Sequence, residues 1–162
     1  MDRRQSRSRC SPHDDPSFPR HALGLVVFDP LLSSRALAEA VRESPEGSVI
    51  LEDHYYPFSS AAFYLDRPVL LLNGRSVNLE YGSNAPDAPP VFLDDTQFRD
   101  LWLKSSRCYL LVKGPTVPHL ADLVGGDHLY LVKNTGGRLA LSNQPSAKAP
   151  QPIGEAAYHA AK

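Results

Sequence analysis

The strongest constraint on this chain is an alternation. Short apolar runs recur along it, each closed by turn residues, and amphipathic stretches with helical spacing lie between them. Leu25–Phe28 is apolar and stops at Asp29-Pro30. Ser33 or Ser34 then stands where a helix cap belongs, with Leu37 and Val41 on one face. Ser48–Leu51 reads as a strand. Pro57 opens a second helix, in which Phe58, Ala62 and Leu65 share a face, and Asp66-Arg67-Pro68 breaks it. Val69–Leu72 is the continuous apolar run of a strand covered on both faces, and Asn73-Gly74 turns the chain.

Val77–Tyr81 and Val91–Leu93 read as short extended pieces around a proline-rich loop. Asp94 and Gln97 have the spacing of a capping box, and Phe98, Leu101 and Trp102 supply one buried face behind it. Arg107–Lys113 is a strand. Val117, Leu120, Ala121 and Val124 share a helix face that Gly125-Gly126 ends. Asp127–Lys133 and Arg138–Leu141 form a hairpin across Asn134-Thr-Gly-Gly137. Strands alternating with helices imply right-handed crossovers and a sheet covered on both faces. The expectation is an α/β three-layer sandwich with a small mixed, mostly parallel sheet and a C-terminal β-hairpin.

The 162 residues fit one domain, with 42% hydrophobic and 22% charged residues. Residues 1–22, rich in Arg, Ser and Pro, lack the apolar area that would offset their ordering entropy. They are expected to be a disordered tail, residues 23–145 the α/β domain, and residues 146–162 a flexible tail. The net charge of −1 argues against a nucleic-acid binder. No apolar run approaches the roughly 20 residues that cross a bilayer. The basic start lacks the apolar stretch of a signal peptide. Cys10 and Cys108 are expected to be free thiols.

Chemistry-bearing motifs are scarce. There is no phosphate-cradling glycine loop and no nucleophile elbow. His54, His119 and His128 stand singly, without the convergent ligands a metal needs. No metal or cofactor is expected. One constellation remains, because ligands of covered α/β sheets sit outside the carboxyl ends of parallel strands. Glu52, Asp53, His54, Tyr55 and Tyr56 follow one strand, Asn73 and Arg75 follow the next, and Asp95 opens a helix. Parallel strands would gather these residues at one edge as a ligand- or interface-facing surface. The plainer account makes Asp94 a cap, Asn73-Gly74 a turn and Arg75 the partner of a nearby acid.

Several words of the sequence resemble a known family. They are Glu52-Asp53-His54-Tyr55-Tyr56, Ser59-Ser60, Phe63-Tyr64-Leu65, Arg67-Pro68, Leu72-Asn73-Gly74-Arg75, Asn78-Leu79-Glu80-Tyr81-Gly82-Ser83, Phe92-Leu93-Asp94-Asp95, Phe98, Leu101-Trp102 and Leu141-Ser142-Asn143-Gln144-Pro145. Together, over about Phe28 to Pro145, they resemble the C-terminal soluble, periplasmic domain of aminoarabinose-transferase-like bacterial membrane glycosyltransferases. These belong to glycosyltransferase family 39, with the protein mannosyltransferases. The resemblance implies a multi-spanning enzyme that uses a polyprenyl-phosphate-linked sugar on the extracytoplasmic side. Its catalytic acids lie in the membrane-embedded portion, so no catalytic residue carries over to this chain. The soluble domain packs over that portion and helps to enclose the cavity.

An Arg/Ser/Pro segment stands here where the family has its final membrane helix. The chain is therefore expected to be a non-catalytic domain detached from its membrane part by truncation, and cytoplasmic if expressed alone. Its expected partners are the membrane-embedded glycosyltransferase portion and the lipid-linked sugar. The alternative is a stand-alone protein that binds a small ligand at the strand ends. A third reading, a small enzyme, would use Asp53 and Asp95 as an acid pair.

Overall fold

The computed structural model of the chain describes residues 33–52, 56–75, 78–104, 106–147 and 149–154. The expected strand Leu25–Phe28, the tail 1–22, Cys10 and residues 155–162 lie outside them. The helices are α1 (Arg35–Arg42), α2 (Ser59–Leu65), α3 (Asn78–Ser83), α4 (Asp95–Trp102) and α5 (Val117–Val124). The strands are β1 (Ser48–Glu52), β2 (Val69–Leu72), β3 (Phe92–Leu93), β4 (Cys108–Lys113), β5 (Tyr130–Thr135) and β6 (Arg138–Ser142). They form one six-stranded sheet in the order β3-β2-β1-β4-β6-β5. β1 pairs in parallel with β2 and β4, and β2 with β3, while β6 runs antiparallel to β4 and β5. This is the expected mixed, mostly parallel sheet with its closing hairpin.

Side-chain alternation divides the core in two. Val49, Leu51, Leu71, Tyr109, Leu111 and Ala140 face α1 and α2, where Leu37, Val41, Phe58, Ala61 and Leu65 meet them. Ile50, Leu72, Leu110, Val112, Leu139 and Leu141 face α4 and α5, which contribute Phe98, Trp102, Val117, Leu120 and Val124. The near-continuous apolar runs of β1 and β4 follow from this, since a strand covered on both faces has no polar side to show.

Local signals explain most element ends. The capping box at α4 is complete: Asp94 Oδ1 accepts from the Gln97 backbone N–H at 2.8 Å, and Gln97 Oε1 accepts from the Asp94 N–H at 3.1 Å. Asp66 closes α2 and Asn73 follows β2, both with left-handed backbones (φ 49° and 53°). The hairpin turns on two residues, Gly136 and Gly137, both with positive φ, so Asn134 and Thr135 belong to β5.

At α1 the capping expectation changes. The Ser34 hydroxyl points inward, donating to the Pro57 carbonyl at 3.0 Å and accepting from Arg138 Nη1 at 3.0 Å. Ser33 Oγ instead accepts the Arg35 N–H at 3.1 Å. A buried hydroxyl is worth more as a cross-link between elements than as a cap that water could replace.

Two expectations are corrected. Within Val77–Tyr81, expected to be extended, residues from Asn78 onward belong to α3. Leu79 and Tyr81 alternate as strand residues would, but β3 already occupies the outer edge of β2. The backbone therefore closes on itself, and Ser83 Oγ and the Asn84 amide both donate to the Glu80 carbonyl at 2.9 Å. The core also continues beyond Pro145. Ala149 and Ile153 are buried, the Ile153 N–H donates to the Leu129 carbonyl at 2.6 Å, and Pro152 bridges Tyr130 at the edge of β5. Arg107 fastens this return by donating to the carbonyls of Gln144 and Pro145. Isolated apolar residues among prolines carry no period, so the sequence pattern hides them.

Candidate functional site

The parallel pairing brings the carboxyl ends of β1, β2 and β3 to one edge of the sheet. Glu52 on β1 lies in register with Leu72 on β2, and Leu72 with Leu93 on β3, so successive ends sit one interstrand spacing, about 4.8 Å, apart. Asn73 and Asp94 begin directly beyond the last two.

Asn73, Arg75 and Asp95 come together there. Asn73 Nδ2 donates to Asp95 Oδ1 at 2.7 Å. The other Asp95 oxygen lies 3.3 Å from His119 Nε2, on α5. Asp95 is thus held between an amide from a strand end and an imidazole from the next helix. The left-handed backbone at Asn73 aims its side chain back over the start of α4, a conformation Asn tolerates better than most residues. A cleft of about 260 Å³ opens beside this cluster, lined by Asn73, Arg75, Leu93, Asp94 and Gln97. The Arg75 guanidinium lies over the Phe92 ring, 5.6 Å from its centroid, and no acid among the described residues pairs with it.

Glu52 shares the edge without joining the cleft. It is only 9% exposed, and strand alternation turns it, like Ile50, toward the α4–α5 face. Asp53, His54 and Tyr55 lie outside the described residues. The Tyr56 backbone opens a turn of 3-10 helix, Tyr56–Phe58, that leads into α2.

Sequence reasoning missed two contributors. The spacing makes Gln97 a cap partner, and it also lines the cleft. His119 stood as a lone histidine; it is 24 residues from Asp95, and only the docking of α5 beside α4 joins them. Lys113 ends β4. The chain runs outward from β1 through β2 to β3 and then crosses to β4 on the other side of β1, so the strand order switches between Glu52 and Lys113. Nothing local to either residue signals that neighbourhood.

Elsewhere the thiol of Cys108 is fully buried in β4, and burial pushes its pKa above 9.0. That favours the inert neutral form. Among the described residues, no three His, Cys, Asp or Glu side chains gather to hold a metal ion. No helix among them is long and apolar enough to cross a membrane.

Fold and edge together define a covered α/β domain with a polar surface at the carboxyl ends of its parallel strands. That fold is shared with ArnT from Cupriavidus metallidurans, in the apo state (TM-score 0.58, 75% of this chain) and bound to undecaprenyl phosphate (TM-score 0.60, 78% of this chain), at 20% identity in both. The chain covers 22% of ArnT, so the likeness is to about one fifth of that protein and is a likeness of fold. No protein-family model matches the chain, and no curated protein matches it.

Proposed function

We propose that this chain is the extramembrane, non-catalytic domain of a polyprenyl-phosphate-sugar-dependent glycosyltransferase system. Its role is to pack over a membrane-embedded portion and help to close the cavity in which sugar is transferred. The observation that carries this reading is the fold shared with a fifth of ArnT, a protein whose structure is known with undecaprenyl phosphate bound. The family words at Leu72–Arg75, Phe92–Asp95 and Leu141–Pro145 support it. The first two build the polar edge, and the third ties the sheet to α4 through Asn143. In this reading the edge bearing Glu52, Asn73, Arg75 and Asp95 faces the membrane portion and the lipid-linked sugar.

The test is reconstitution. The chain and the multi-spanning protein encoded nearest to it are purified separately and together in lipid vesicles, and sugar transfer from a polyprenyl-phosphate donor is measured. The expected result is no transfer by the chain alone, association with vesicles only when the partner is present, and transfer that requires both. Turnover by the chain alone, or an unchanged rate when it is added to the partner, overturns the proposal.

A further inference from the structure

The cleft beside Asp95 has a hydrogen-bonding inventory that singles out one kind of small molecule. The backbone N–H groups of Asp94 and Gln97 and one acceptor on each side chain are consumed by the capping box. Both oxygens of Asp95 are engaged by Asn73 and His119. Of the polar groups on the lining residues, those with no hydrogen bond among the described residues are the Arg75 guanidinium, the Gln97 amide N–H₂, the second Asp94 oxygen and the Asn73 backbone carbonyl oxygen. Among the described residues the Arg75 side chain has no ion-pair or hydrogen-bond partner, and its guanidinium lies over the Phe92 ring. Arg75 and Asp94 line the same cleft without closing to the 4 Å of a salt bridge. A cation and a carboxylate thus line one cleft of about 260 Å³ without pairing with each other.

The geometry points to a binding site for a small zwitterion, a molecule with an ammonium group and an oxyanion a few bonds apart. Its oxyanion takes the forked donors of Arg75 with help from the Gln97 amide, and its ammonium takes Asp94 Oδ2 and the Asn73 carbonyl oxygen. A bare anion would meet the charges of Asp94 and Asp95. A bare cation would meet Arg75. An uncharged polyol would leave both charges unmatched. The lining is open to solvent, so the binding is weak and salt-sensitive. The inference does not rest on the transferase reading and survives its failure.

The test is a titration of the ¹⁵N-labelled full chain, following amide shifts at residues 73–75 and 93–97. The ligands are glycine and glycerophosphoethanolamine as zwitterions, and acetate, inorganic phosphate, ethylammonium and glucose as controls. Saturable shifts with a zwitterion are expected, weakened at least tenfold in Arg75→Gln and in Asp94→Asn. The asparagine variant keeps a capping side chain, so α4 stays formed, and unchanged urea midpoints check this. The tighter of the two zwitterions shows whether the natural source is a free amino acid or a lipid headgroup. Acetate, phosphate, ethylammonium or glucose binding as tightly as either zwitterion, no saturation with any ligand, or variants that bind like the parent would each overturn the assignment.

Discussion

Replacing Asn143 with alanine should cost more stability than removing most core methyl groups, although it deletes only an amide. Asn143 is buried just past the end of β6. Its Oδ1 accepts the Cys108 backbone N–H at 2.8 Å, and its Nδ2 donates to the carbonyls of Trp102 and Ser106, both at 2.9 Å. One side chain thus joins the end of α4, the start of β4 and the exit from β6. Alanine leaves the Cys108 N–H and the Trp102 carbonyl buried without partners, while the Ser106 carbonyl lies nearer to solvent. At about 1–3 kcal/mol for each stranded buried group, the loss comes to roughly 3–4 kcal/mol. With a urea dependence of about 2 kcal/mol per molar, the midpoint should fall by ~1.5–2 M at unchanged slope. Asn143→Asp keeps the acceptor but turns a second oxygen onto two carbonyls, so near pH 7 it should be at least as damaging. Below the ordinary carboxylate pKa of about 3.9 the protonated acid can donate to one of them, and its deficit should narrow. A loss under 1 kcal/mol for alanine, or an aspartate variant as stable as the parent at pH 7, would refute the reasoning.

Three further outcomes are expected. Phe98→Ala and Trp102→Ala each remove a fully buried aromatic of α4, with ring centroids 5.2 Å apart, and should cost about 3–5 kcal/mol; urea midpoints left in place would mean α4 is not packed as described. Gly47→Ala should destabilise by about 1–3 kcal/mol, because an added Cβ would come within 2.7 Å of the Arg107 carbonyl oxygen and 3.0 Å of the Tyr109 ring; a melting temperature equal to the parent's contradicts that close approach. Cys108 should resist thiol reagents in the native state and react on unfolding. Its folded pKa is raised by burial, so the folded state holds the proton longer and stability should fall as pH rises past 9.0. Rapid native labelling, or stability indifferent to pH in that range, counts against a sealed strand.

The core of the fold was legible because its signals are local. β1, β2 and β4 announce themselves as apolar runs, the Asp94–Gln97 box marks the start of α4 within one turn, and two glycines mark the hairpin. The misreadings fall where local pattern and tertiary demand part. Leu79 and Tyr81 alternate like strand residues, but no sheet edge was left for them. Ser34 has the chemistry of a cap, yet the docking of α1 against Pro57 and Arg138 gave its hydroxyl a better use. Of the proposed site, Asn73, Arg75 and Asp95 could be chosen from the sequence once parallel strands were assumed. Gln97 and His119 could not, because neither has a neighbour in sequence that hints at the cleft.

By itself the sequence determined most of the order of strands and helices, α3 and the return past Pro145 excepted, and the buried faces of the main elements, since periodicity, capping and backbone preference act over a few residues. Only the tertiary structure decided the strand order β3-β2-β1-β4-β6-β5, the switch that sets Glu52 beside the end of β4, and the meeting of Asp95 with His119. Those outcomes depend on which faces pack and which edges remain open. They are properties of the whole assembled core that no short stretch of chain contains.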